Sequence, residues 1–155
     1  AGVTVFKIEG RARGPEYVDT TVRCYSEAIE AICDGTYGAE KIKGWDERLA
    51  MPFNRGFWDG YYMGRHLGEW SGKYGSSATR VKEYVAKGVK YYSRLGVGEF
   101  IITGPNTYVQ LKIDDIRVDL KSVGKAVKGE AFSIAVPCKV RPSDRLYRWR
   151  PVSDD

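Results

Sequence analysis

Residues 3–9 read VTVFKIE, with the β-branched and aromatic content of a strand, and the rest of the expected fold hangs on that reading. Alternation puts Val5, Lys7 and Glu9 on one face and Phe6 and Ile8 on the other. Gly14–Pro15 then opens a helix, because proline suits the first helical position. The apolar residues Val18, Val22, Tyr25, Ile29 and Ile32 recur at intervals of three and four, which predicts a single buried stripe. Asp34–Gly35 ends the helix. Strand, loop and amphipathic helix make one βα unit, and such a unit needs parallel neighbours to bury its strand. Those neighbours are not legible in this sequence, so it reads as a piece of something longer that begins inside a strand.

Residues 36–76 are rich in glycine and aromatics, including Trp45, Phe53, Phe57, Trp58, Tyr61, Tyr62 and Trp70, and show no sustained period. They read as an ordered connecting segment, since a flexible linker would not carry so many aromatics. From residue 77 onward the texture changes to short strands, expected at 79–86, 88–95, 99–103, 108–118, 131–136 and 145–150. Turn residues such as Gly104–Pro105–Asn106 and Arg141–Pro142–Ser143–Asp144 punctuate them. Strands of this length and spacing predict a small antiparallel β-barrel over residues 77–155. The expected fold class is therefore mainly β with a short α/β remnant.

Charge is unevenly spread. Residues 1–76 carry 10 Lys and Arg against 11 Asp and Glu, whereas residues 77–150 carry 15 against 7. A basic second half suggests an anionic partner, nucleic acid first. Cys24, Cys33 and Cys138 are an odd set without CxxC spacing, which favours reduced thiols, a cytoplasmic protein and no metal. No apolar run approaches the roughly 18 residues that a membrane span needs.

Two segments together carry a resemblance. Residues 1–25, AGVTVFKIEGRARGPEYVDTTVRCY, resemble the last strand and helix of the catalytic (β/α) barrel in the collagenase-like peptidase family U32. Residues 53–61, FNRGFWDGY, are similar to a segment that follows that barrel. The stretch LKSVGKAVKGEAFSIAV and the later RPSDRLYRW resemble the family's C-terminal β-barrel, itself similar to the second domain of elongation factor Tu. The resemblance implies that this is the C-terminal part of such a protein. It would comprise a βα remnant at 1–35, a connecting segment at 36–76 and a β-barrel at 77–155. Relatives that hydroxylate RNA or ubiquinone precursors carry an iron–sulfur cluster on upstream cysteines. Cys24, Cys33 and Cys138 match none of those ligands, so no cofactor is expected in this stretch.

A lysine and a carboxylate at i and i+2 on the inward face of a barrel strand are unusual, because that face is normally branched and apolar. Lys7 and Glu9 are thus the candidate catalytic residues of the intact protein, or alternatively a buried pair that orders the barrel. Arg11 and Arg13 follow as candidate anion or substrate contacts, and the helix start beside them is a candidate phosphate site. Asn54, Arg55 and Asp59 either reach the same site or tie the modules together. His66, the sole histidine, has no triad partner at a recognisable spacing. In the basic half, Lys125, Lys128, Arg145 and Arg148, interleaved with Tyr84, Tyr147 and Trp149, are candidates for an RNA-contacting surface.

Three functions follow. The first is an accessory module that recognises substrate, with RNA favoured, for an upstream catalytic barrel. The second is a protein- or collagen-binding adjunct of a protease. The third is a structural module that forms a homodimer. In each case the stretch is expected to be inactive on its own.

Overall fold

The computed structural model describes residues 2–58, 60, 64, 75–87, 90–91 and 95–152. The chain divides into two compact units, Ala1–Val81 with Val152–Asp155, and Lys82–Pro151.

The first unit is helical. Helix α1 spans Pro15–Cys33 and α2 spans Ala39–Ala50. Proline opens α1 as expected, and the helix ends where Asp34 takes the cap position. Gly35 follows with φ +75°, a left-handed conformation that costs glycine little. The Thr36 and Tyr37 amides both donate to the Ala31 carbonyl and turn the chain towards α2.

Two expectations fail here. Residues 3–9 form no strand, and Val3, Val5 and Phe6 are exposed, with Val5 at 80%. An isolated extended segment gains no ladder hydrogen bonds, and no strand pairs with this one among the described residues. The expected last strand of a (β/α) barrel is therefore not formed.

The face that α1 buries is also not the predicted one. Val18, Val22, Tyr25, Ile29 and Ile32 are all exposed, whereas Thr21, Cys24 and Ala31 are buried. Small residues let a second helix approach closely, and α2 lies against α1. Cys24 Sγ lies 4.0 Å from the Trp45 carbonyl oxygen of α2. Helix α2 falls in the segment read as lacking a period, although Ile42, Trp45 and Leu49 do recur at helical spacing.

Among the described residues the second unit carries ten strands or strand fragments, the first beginning just ahead of it. They are β1 (Arg80–Lys87), β2 (Lys90–Tyr91), β3 (Leu95–Gly96), β4 (Gly98–Gly104), β5 (Thr107–Ile113), β6 (Ile116–Val118), β7 (Lys121–Val123), β8 (Lys125–Ala126), β9 (Phe132–Ile134) and β10 (Arg145–Pro151). A five-stranded sheet has the order β2-β1-β10-β4-β5. A two-stranded ladder joins β3 to β8, and a three-stranded one has the order β7-β6-β9. The β4–β5 hairpin runs from Gly104↔Thr107 at its turn to Gly98↔Ile113, and β10 lies antiparallel to β4 with Leu146↔Ile102. The core collects Val85, Phe100, Ile102, Ile113, Ile116, Ala126 and Leu146.

The expected β-barrel does not form: among the described residues no sheet closes on itself, and the fold is mixed α/β. The stretch 108–118, read as one long strand, breaks at Asp114–Asp115, where the chain leaves the large sheet. The Asp115 carboxylate anchors the break by accepting from Ser122 Oγ at 2.5 Å and from Arg117 Nε at 2.8 Å. The pieces that follow, β6 to β9, are two or three residues long. Such short strands cannot supply the tilt and stagger that closure requires.

Candidate functional site

A cleft of about 240 Å³ opens in the first unit, lined by α1, by the end of α2 and by the loop after it. Tyr17, Thr21 and Tyr25 lie on successive turns of α1 and present one strip to it. The Thr21 hydroxyl donates back to the Tyr17 carbonyl at 2.8 Å. Arg13 enters from the turn ahead of α1, which its amide closes onto the Gly10 carbonyl at 3.1 Å. Within that turn Ala12 sits at φ +55°, a left-handed conformation that a non-glycine residue adopts at a cost of about 1 kcal/mol. The Arg13 guanidinium lies 4.3 Å from the centroid of the Phe53 ring.

The opposite wall comes from Asn54, Arg55, Gly56 and Phe57. Asn54 donates through Nδ2 to the Ala50 and Pro52 carbonyls, both at 3.0 Å, and accepts through Oδ1 from the Gly56 amide at 3.0 Å. These bonds spend its side chain on finishing α2 and shaping the loop. Gly56, at φ +90°, completes the turn that carries Arg55. Among the described residues, neither Arg13 nor Arg55 has a carboxylate within ion-pairing distance.

The other candidates stand elsewhere. Lys7 Nζ lies 3.8 Å from Glu9, and Arg11 Nε lies 3.4 Å from the same carboxylate. All three side chains face solvent, with Lys7 83% exposed. The Glu16 carboxylate folds against Gly14 at the start of α1, where a methyl group would collide with it. A negative side chain thus occupies the helix start that had been read as a phosphate site.

In the second unit, Lys125 is exposed on β8, and Lys128 is exposed in the turn that Glu130 closes onto the Val127 amide. Arg145 and Arg148 lie opposite Thr103 and Phe100 on β10. Their odd separation puts them on opposite faces of the sheet. The four cations therefore do not share one face of one sheet. Tyr84 and Tyr147 pack edge to ring at 5.7 Å, with Lys82 Nζ 5.3 Å from the Tyr147 centroid. Asp59 and His66 lie outside the described residues.

Residues 1–72 match the profile of Peptidase family U32. Two proteins from Porphyromonas gingivalis, each named collagenase, are 61% and 60% identical to this chain over 96% of its length. This chain is a relative of the U32 peptidases. An uncharacterized protease from Methanocaldococcus jannaschii is a more distant relative, 28% identical over 92% of the chain. The chain spans between 39% and 45% of the length of these relatives. No solved structure matches it. The whole cleft, from Arg13 to Phe57, lies within the stretch that matches the U32 peptidases.

Sequence reasoning picked out Arg13, Asn54 and Arg55 but missed Tyr17, Thr21, Leu49 and Phe53 as their neighbours. A signal existed in the spacing of Tyr17, Thr21 and Tyr25, one helical turn apart, but it ran beside the stronger aliphatic stripe. Among the described residues no group of three or more His, Cys, Asp or Glu side chains is placed to hold a metal ion. No described helix is long and apolar enough to cross a membrane.

Proposed function

We propose that this chain is an accessory, substrate-recognition region of a U32-type, collagenase-related peptidase, and that it engages protein substrate through the cleft of the first unit. The observation that carries the reading is the pair of guanidinium groups, Arg13 and Arg55, lining an aromatic cleft without carboxylate partners among the described residues. Arginine beside aromatic rings is a favoured composition for protein recognition. The high identity to two proteins named collagenase, along almost the whole chain, supports a protein substrate, with collagen first. Lys7 and Glu9 stand as catalytic candidates only for a longer protein, because both side chains are exposed.

The alternative with RNA as ligand has less behind it. Its four cations are divided between different ladders and opposite sheet faces, and two of its aromatics pack on one another. Retention of the chain on immobilised gelatin and on bulk tRNA, each at two salt concentrations, separates the readings. Gelatin retention that survives the higher salt is expected. No retention on gelatin, with tRNA binding that falls steeply with salt, would overturn the proposal.

A further inference from the structure

We infer that the cleft of the first unit reads a peptide carboxylate held next to an apolar side chain, a specificity that rests on the protein-substrate reading above. The argument begins with Arg13. Its guanidinium sits over the Phe53 ring, and among the described residues its N–H donors have no hydrogen-bond or ion-pair partner, which leaves them for an oxygen ligand. A carboxylate matches that fork with two parallel hydrogen bonds, which a single carbonyl oxygen cannot do. Arg55 adds a second positive charge on the facing loop, and its side chain is exposed.

The remaining walls are rings and an aliphatic side chain. Tyr17, Tyr25, Phe53, Phe57 and Leu49 offer apolar surface beside the two charges. At about 240 Å³ the space is smaller than pockets for drug-sized ligands, so it suits one side chain with its neighbouring carboxylate rather than a folded surface. Charge also argues for a single carboxylate over a polyanion. Residues 1–76 hold 10 cationic against 11 acidic side chains, and Glu16 already occupies the start of α1. A phosphate-rich ligand would meet that negative charge without a net positive field to draw it in.

Three labelled peptides test the inference by fluorescence polarisation with the full chain: Gly-Pro-Phe with a free carboxylate, its C-terminal amide, and Gly-Glu-Phe amide. The acid is expected to bind about tenfold more tightly than its amide, as losing a charge-assisted pair implies. That preference should vanish in Arg55→Gln, whose exposed side chain can be replaced without unfolding the unit, and in Arg13→Gln. Equal tight binding of the acid and of Gly-Glu-Phe amide would support the inference and show that a side-chain carboxylate serves as well as a terminal one. Equal binding of all three peptides, binding indifferent to both substitutions, or displacement by inorganic phosphate at concentrations matching the peptide would overturn it. Gelatin retention that persists in both arginine variants would sink the carboxylate specificity while leaving the protein-substrate reading in place. Loss of gelatin retention by the unmodified chain would remove both.

Discussion

Glu27 of α1 and Arg48 of α2 meet in a two-pronged ion pair. Arg48 Nη1 donates to Glu27 Oε2 at 2.5 Å and Nη2 donates to Oε1 at 2.9 Å. Trp45 Nε1 donates to the same carboxylate at 3.0 Å, so three bonds from α2 converge on one side chain of α1. The pair fixes the rotation of α1 that buries Cys24 and Ala31 and turns the aliphatic stripe outward. It thereby sets which strip of α1 reaches the cleft.

Replacing Glu27 with Gln should therefore loosen the helix pair. Both partners are more than a third exposed, so the expected loss is modest, about 1 kcal/mol, read from urea unfolding of the first unit. The Arg48 hydrogen bonds hold the Glu27 carboxyl below its ordinary range. A depressed folded-state value means that this stabilisation is fully present above the unfolded carboxylate range, about pH 4.3. It is lost as pH falls through the lower folded value. Acid unfolding of the parent should lose this contribution below about pH 4, and Glu27→Gln should lack it. Parallel acid profiles for the two proteins would contradict the role given to the pair.

Gly104 in the β4–β5 turn lies against the buried Asp144, and a Cβ there would collide with the Asp144 carboxylate. Asp144 Oδ2 also accepts from the Arg141 amide at 2.8 Å. Gly104→Ala should destabilise the second unit by about 1–3 kcal/mol, through overpacking against a group that cannot move without losing that bond. Thermal unfolding followed by near-ultraviolet dichroism provides the check, and an unchanged midpoint would count against the contact.

Two fast thiols and one slow thiol are expected in a labelling time course with a disulfide reagent at neutral pH. Cys33 and Cys138 are exposed, whereas Cys24 is buried between the helices. Burial pushes the Cys24 thiol up, so less of it is thiolate than in an ordinary cysteine. The slow phase should merge with the fast ones in denaturant. Three equal rates in the native protein would mean that Cys24 is accessible.

The β6–β7 hairpin turns through Asp119 and Leu120, at φ +49° and +64°. Asn-Gly suits such a turn better than Asp-Leu, because both central residues are left-handed. Leu120 is 88% exposed and would lose little packing. The double change Asp119→Asn with Leu120→Gly should raise stability by about 0.5 kcal/mol, measured as a higher urea midpoint with unchanged slope. A lower midpoint would mean that Leu120 packs in solution.

The exposed stripe of α1 gives a sharper contrast. Ile32→Ser, at a residue 62% exposed, should change stability by about 0.5 kcal/mol or less, as surface substitutions do. Ala31→Leu, one position earlier, should cost roughly 1–3 kcal/mol by overpacking the buried face. The opposite order would restore the face that periodicity predicts.

Local signals in the sequence determined the ends of α1, through Pro15 and Asp34–Gly35, and the positions of β1, β4 and β10, through short strand-like segments between turn residues. These depend on neighbours a few positions apart, which a linear reading contains. The sequence also carried the arginines of the cleft in its resemblance to the U32 peptidases. Tertiary structure alone decided which face of α1 is buried, because periodicity marks a stripe but cannot say that small residues and the Glu27–Arg48 pair will win the contact with α2. It also decided that 3–9 pairs with no strand among the described residues and that the strands after Asp115 form small open ladders. Strand pairing and sheet closure depend on partners distant in the chain, and their energy is absent from any single segment.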